Sequence, residues 1–180
     1  AQAQKAIEVM GPAFGSFAAV LAQSDEDKAR LESLGAKDVL VTGSVKFDIV
    51  PDASQMAAAK AWLTVLSRPV VLLASTRDGE EAAFLESFKK HPALLAETLV
   101  VVVPRHPERF ERVVELFESA GLKTIRRSTL STAEDLPADI QIVVGDSMGE
   151  MSFYCGLASM TVMGGSFGPF GSQNVLEPAM

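Results

Sequence analysis

Cysteine, tyrosine and tryptophan each occur once in the 180 residues, and histidine twice. A single cysteine, Cys155, excludes an internal disulfide, and this usage fits a reducing compartment. Cys155 falls among apolar neighbours in a predicted helix, where a thiol reads as a small buried hydrophobe rather than a nucleophile. His91 and His106 are too few for a zinc cluster, and His91 before Pro92 reads as a helix end. No paired-aspartate arrangement marks an obligatory divalent metal. No apolar run approaches the ~20 residues that span a bilayer. A Walker A sequence is missing, as is a G-x-G-x-x-G after the first strand, so the usual ATPase and dinucleotide fingerprints are absent. Basic residues are also scarce, 16 Lys and Arg against 23 Asp and Glu, for a net charge of −7. That balance argues against a nucleic-acid partner, but it leaves room for a local basic pocket that takes a small anion.

What is present is an ordinary globular composition, 48% apolar and 22% charged. Residues 1–23 are Ala-rich with scattered large apolars and read as a weak helix. Ser24 with Asp25, Glu26 and Asp27 predicts an N-cap and an acidic first turn, and Gly35 a helix stop. Val39 to Thr42 reads as a short strand. Pro51-Asp52 opens a helix with Met56, Ala59, Trp62, Leu63 and Leu66 at three-to-four spacing, Trp62 being its core anchor. Val70–Ala74, Leu99–Val103, Ile140–Val144 and Ala158–Met163 are continuous apolar runs, typical of strands covered on both faces. An amphipathic helix from Phe110 to Gly121 follows the second run. Thr124–Ile125 reads as a short strand, 127–138 as a polar loop or turn, and a helix is expected from Ser147. Strand and helix alternate, which predicts an α/β fold with a three-layer parallel sheet.

Ligands of open parallel sheets bind beyond the carboxyl ends of the strands. The informative polar residues gather at those ends: Ser75 and Thr76, Arg105 and His106, Asp146 to Glu150, and the glycine-rich stretch from Gly164 to Glu177. Each has two readings. Ser75 and Thr76 either cap the next helix or touch a ligand. Ser147-x-x-Glu150 and Asn174-x-x-Glu177 are either capping boxes or places where a carboxylate accepts from ribose hydroxyls. Arg105, stiffened by Pro104 and Pro107, is either a phosphate contact or a solvated loop arginine.

Five stretches carry a resemblance in order and spacing: Thr42-Gly-Ser-Val-Lys-Phe-Asp48, Ala74-Ser-Thr-Arg-Asp-Gly-Glu-Glu81, Val103-Pro-Arg-His-Pro-Glu-Arg-Phe110, Gly145-Asp-Ser-Met-Gly-Glu150, and Gly164-Gly-Ser with Asn174-Val-Leu-Glu-Pro-Ala179. From about Ala22 onward the chain resembles the carboxyl-terminal half of the 3-deoxy-D-manno-octulosonic acid (Kdo) transferases. The resemblance implies a Rossmann-like domain of a GT-B glycosyltransferase, with 24–180 as a CMP-sugar-binding domain cut short at its carboxyl end. Residues 1–23 would then be the edge of a missing amino-terminal domain. It further implies an inverting, metal-independent transfer of Kdo from CMP-Kdo to the lipid A precursor, in lipopolysaccharide synthesis at the cytoplasmic face of the bacterial inner membrane. No cofactor is implied.

By the same resemblance Pro104, Arg105, Met148, Gly149, Glu150, Asn174, Val175, Leu176 and Glu177 would line the CMP site. Ser75, Thr76, His106 and Ser166 are further candidates, and Lys46 would stabilise the transition state. The partners implied are the CMP-Kdo donor, the lipid A acceptor and, through the missing half, a membrane surface. Ser44 stands where the family often has Asn, and Ser172-Gln173 where Gly-His commonly precedes the Asn. The family's catalytic base has no counterpart here. Without an initiator Met or a signal peptide's basic start and apolar core in AQAQKAIEVMG, the expectation is of a piece of a longer protein that transfers nothing alone. Another nucleotide-sugar enzyme of the same fold, acting on a UDP-sugar, and a non-catalytic nucleotide-binding module remain the alternatives.

Overall fold

A computed structural model describes residues 11–168, 171 and 173–179, except for the side chain of Glu177. The chain divides into two compact units, Ala1–Ile49 and Val50–Met180.

In the first unit, β1 (Val20–Ala22) pairs in parallel with β2 (Val39–Val41), and α1 (Asp25–Ser33) connects them. Ser24 caps α1 by accepting the Asp27 N–H at 3.2 Å, as the sequence predicts. Ala22, Ala36 and Val39 form a small core with Phe14, Val20 and Leu31 packed against it. The helix reading of residues 1–23 needs correction, since only 11–14 are helical among those described and Val20–Ala22 is a strand. Parallel pairing with β2 supplies hydrogen bonds that a three-residue apolar run cannot announce by itself.

The second unit holds α2 (Ala53–Leu63), β3 (Val70–Thr76), α3 (Glu80–Lys90), α4 (Pro92–Glu97), β4 (Leu99–Pro104), α5 (Phe110–Ser119), β5 (Thr124–Arg126), β6 (Ile142–Val144), α6 (Met151–Leu157), β7 (Met160–Met163) and α7 (Leu176–Ala179). Its five-stranded sheet runs in the order β5-β6-β4-β3-β7, and every pairing is parallel. Successive strand residues face opposite ways. Leu72, Ala74, Val101 and Val103 therefore pack with Ala59 and Trp62 of α2 and Phe153 and Leu157 of α6. Val71, Leu73, Val100 and Val102 pack with Leu85 and Phe88 of α3, Leu95 of α4, and Val113 and Phe117 of α5. Helices thus cover both faces of the sheet. This is the three-layer α/β arrangement that the alternation predicts.

Several boundaries differ from the sequence reading. β3 continues through Ser75 and Thr76, and all seven of its residues are buried. β6 and β7 begin two residues later than their apolar runs, because Ile140 and Ala158 belong to the approaching turns. The helix expected from Ser147 starts at Met151. His91 does end a helix, and a further one, α4, follows from Pro92 at its first position. On α2, Met56 and Leu63 are exposed while Ala59 and Trp62 form the buried contact.

Candidate functional site

The register of the sheet places the carboxyl ends of four strands side by side. Thr76 lies opposite Pro104, Val102 opposite Val144, and Ala74 opposite Met163. Backbone bonds continue the alignment past the strands. The N–H of Arg105 donates to the Thr76 carbonyl at 3.0 Å, that of Gly145 to Val102 at 2.8 Å, and that of Gly164 to Ala74 at 2.7 Å. Candidate residues far apart in sequence therefore share one rim.

At the centre, Ser75 is 8% exposed and adopts a left-handed backbone, with φ 54°. Such a conformation costs a non-glycine residue about 1 kcal/mol or more and survives where neighbours enforce it. Gly164 is that neighbour. A Cβ there would sit 2.2 Å from the Ser75 carbonyl oxygen, so only glycine fits. The neighbouring hydroxyl, on Thr76, is fully buried and donates to Glu81. Thr76 is therefore committed to the protein's own network. Arg109 completes it, donating to Glu81 Oε2 at 2.6 Å and to the Thr76 carbonyl at 2.8 Å.

Beside Ser75, an Arg77 guanidinium N–H lies 3.0 Å from His106 Nε2. Because guanidinium only donates, Nε2 accepts and the ring proton belongs on Nδ1. Turned so that its oxygen faces Arg77, the Gln173 amide accepts from Nε and an Nη of Arg77 at 3.2 Å each. His106 and Gln173 thus reach the same guanidinium from two loops. Arg105 behaves differently. Its side chain is exposed and has no carboxylate partner among the described residues, so its charge faces outward at the end of β4.

Glu150 lies at the other end of the rim, half-buried just ahead of α6. Its carboxylate accepts from the Ser147 and Tyr154 hydroxyls and, at 3.3 Å, from Arg127. The Arg127 guanidinium is stacked 5.0 Å from the Trp62 ring centroid and 4.7 Å from that of Phe153. Ser147 does not cap a helix as its spacing predicts, because its hydroxyl bonds the Glu150 side chain instead. Gln55 of α2 ties the neighbouring segment down, donating to the Gly149 carbonyl at 2.8 Å and accepting the Phe153 N–H at 3.2 Å. Met148 and Gly149 are exposed on this segment. Asp146 accepts the Ser128 N–H at 2.8 Å and its hydroxyl at 2.6 Å.

Burial raises the Tyr154 phenol well above its ordinary value. The Ser147 hydroxyl opposes the shift and the Glu150 charge adds to it. The phenol therefore stays a neutral donor to Glu150.

The last turn, α7, packs against α6. Asn174 is exposed and its side-chain oxygen accepts the Leu176 N–H at 3.1 Å. Val175 is exposed and Leu176 half-buried. Ser166 is exposed on the glycine loop, and the side chain of Glu177 lies outside the described residues. Lys46 belongs to the first unit, exposed on a short 3-10 turn (Val45–Asp48) where Ser44 accepts its N–H at 3.3 Å. Cys155 is half-buried. A cleft of about 400 Å³ lies on the flank between α3 and α5 and contains none of the candidate residues. Among the described residues no group of His, Cys, Asp and Glu is arranged to hold a metal ion, and no helix is long and apolar enough to cross a membrane.

Sequence reasoning passed over Glu80, Glu81, Arg109 and Arg127. Charged residues in a first turn or a polar loop are ordinarily solvated, and these are not: Glu80 is 4% exposed and Glu81 2%. A usable signal was two adjacent carboxylates separated by three residues from the end of a buried strand, since a carboxylate that becomes buried needs an arginine or backbone N–H groups as partners.

Comparison with known proteins bears on the family and the fold. The sequence model of the 3-deoxy-D-manno-octulosonic-acid transferase (kdotransferase) family matches residues 1–49. The 3-deoxy-D-manno-octulosonic acid transferase of Bordetella pertussis is 43% identical over 161 residues, covering 88% of this chain and 37% of that protein. The Haemophilus influenzae protein of the same name is 36% identical over 167 residues, covering 88% of this chain and 38% of its own length. The chain thus spans less than two-fifths of these relatives. The crystal structure of the C-terminal CMP-Kdo binding domain of WaaA from Acinetobacter baumannii superposes with a TM-score of 0.63 at 35% identity, covering 71% of this chain and 66% of that one. In sequence and in fold, the chain belongs to the family of 3-deoxy-D-manno-octulosonic acid transferases.

Proposed function

We propose that the second unit binds CMP-Kdo for an inverting, metal-independent transfer of Kdo to a lipid A precursor, as part of a GT-B glycosyltransferase. The observation that carries the reading is Arg105. It is an exposed guanidinium without a carboxylate partner among the described residues, fixed by its own backbone at the end of β4, in a chain similar to a solved CMP-Kdo binding domain. In the transfer an acceptor hydroxyl attacks the anomeric carbon of Kdo as the bond from that carbon to the phosphate oxygen breaks. CMP departs with the electron pair, and fixed donors stabilise the anion. Arg105 is one such donor, and the family resemblance assigns the same task to Lys46. The hydroxyl's proton goes to a base, which this reading assigns, with the acceptor site, to residues outside the 180.

Glu150 suits the role of ribose acceptor because Arg127, Ser147 and Tyr154 hold its carboxylate in one orientation while part of it stays exposed. Pro104, Met148, Gly149, Asn174, Val175, Leu176 and Glu177 complete the CMP site in this reading, with Ser75, His106 and Ser166 at its margin. Ser75 fits well, since its hydroxyl has no hydrogen-bond partner among the described residues, whereas the bond from Thr76 to Glu81 argues that Thr76 acts structurally. The whole protein would work at the cytoplasmic face of the inner membrane.

Calorimetric titration with CMP and UDP tests the assignment. CMP should bind and outcompete UDP. Arg105→Ala should weaken CMP by about 10- to 100-fold, the worth of a hydrogen bond to a charged group. Equal affinity for the two nucleotides, or CMP affinity unchanged in Arg105→Ala, would overturn it.

A further inference from the structure

Glu80 is 4% exposed, yet no cation pairs with its carboxylate among the described residues. Backbone N–H groups from two loops surround it instead. Arg77 donates to Oε2 at 2.8 Å, Gly165 donates to both oxygens at 2.9 Å, and Phe167 donates to Oε1 at 3.2 Å. A carboxylate withdrawn from water needs such donors to compensate its lost hydration. Here they come from the loop after β3 and from the glycine loop after β7, 85 residues further along the chain. The same glycine loop is otherwise held by its Gly164 N–H, which donates to the Ala74 carbonyl at 2.7 Å, and by the Phe167 ring, which packs edge-to-face on Phe84 with centroids 5.4 Å apart. Gly165 sits at φ 81°, where a Cβ would meet the Gly171 carbonyl oxygen at 2.5 Å, and the Gln173 N–H donates to the Gly164 carbonyl at 3.3 Å.

We infer that Glu80 is a positioning residue for the nucleotide site. Its carboxylate locks the Gly164–Phe167 loop against the end of β3, and so fixes Ser166 beside Ser75. It touches no ligand and acts through the loop. The inference rests on the reading of the rim as the CMP site. An anchored loop meets the ligand already ordered, and a released one must be ordered on binding, which weakens affinity. Glu80→Gln keeps size and one acceptor oxygen but turns an N–H₂ group toward the N–H donors of Arg77 or Gly165, donor against donor.

Two measurements test this. In the unsubstituted chain, the Gly165 and Phe167 amides should exchange with solvent slowly, although Ser166 and Phe167 are exposed residues; exchange at the rate of a free loop overturns the inference without any variant. In Glu80→Gln, measured well below its melting temperature, CMP should bind about tenfold or more weakly, with faster exchange confined to 164–167. A lower melting temperature with unchanged CMP affinity would show a structural role only and sink the inference. If the unsubstituted chain binds no CMP at all, the functional reading fails, while slow exchange of those amides still reports the clamp.

Discussion

Removing Arg109 should be among the most damaging single changes in the second unit. Its side chain is 13% exposed and pairs with Glu81, whose side chain is 2% exposed, at 2.6 Å. The pair is tied further by the Thr76 hydroxyl on one side and the Thr76 carbonyl on the other. Arg109→Ala strands a buried carboxylate with one hydroxyl donor and leaves a buried carbonyl without its guanidinium. Breaking a buried pair from one side costs about 3–5 kcal/mol, a large part of the roughly 5–15 kcal/mol that holds a domain folded. With a urea dependence of about 2 kcal/mol per molar, the unfolding midpoint should fall by about 2 M. Adding Glu81→Gln removes the stranded charge, so the double variant should recover about 1–3 kcal/mol relative to the sum of the singles. A midpoint shift below about 0.5 M for Arg109→Ala, or singles that simply add, would refute the claim that the two charges are held for each other.

Other expectations are independent of this one. The single tyrosine makes ultraviolet titration specific for Tyr154. Native protein should show no tyrosinate near pH 10, where an unfolded chain ionises, and since the folded value is raised, stability should be full below that pH and decline as pH climbs above it. Tyrosinate forming in the native state near pH 10 would show the phenol to be solvated. Gly164→Ala should lower stability by about 1–3 kcal/mol or more, because the new methyl meets the backbone of Ser75 and Thr76, which has no rotamer to yield; a thermal melt within a degree of the unsubstituted protein would contradict that contact.

The sheet was legible because its strands are unbroken apolar runs that nothing but burial on both faces explains. Val70–Ala74 and Leu99–Val103 announced themselves in this way. Short elements were less visible: Val20–Ala22 is three residues that only β2 makes a strand, and α4 hides behind His91-Pro92. For the candidate site, parallel topology sends ligands to strand ends, and Ser75, Arg105 and Glu150 do lie at or just beyond such ends. The long-range contacts that hold this rim together were not legible. Arg127 reaches Glu150 from a stretch read as a polar loop, and Glu80 reaches Gly165 across most of the unit. Pairings of that separation depend on strand order, and nothing local in the sequence encodes the order β5-β6-β4-β3-β7.

The stack of Trp62, Arg127 and Phe153 places an optical label inside the rim. Trp62 is the protein's one indole, and a cation lies 5.0 Å from its ring while the other end of that cation grips Glu150. Whatever draws Glu150 away from Arg127 alters the charge next to the fluorophore, so the colour and intensity of the native emission follow the state of a carboxylate that itself absorbs nothing useful. Any event that changes the Arg127–Glu150 contact can therefore be watched continuously, at micromolar protein, without attaching a dye.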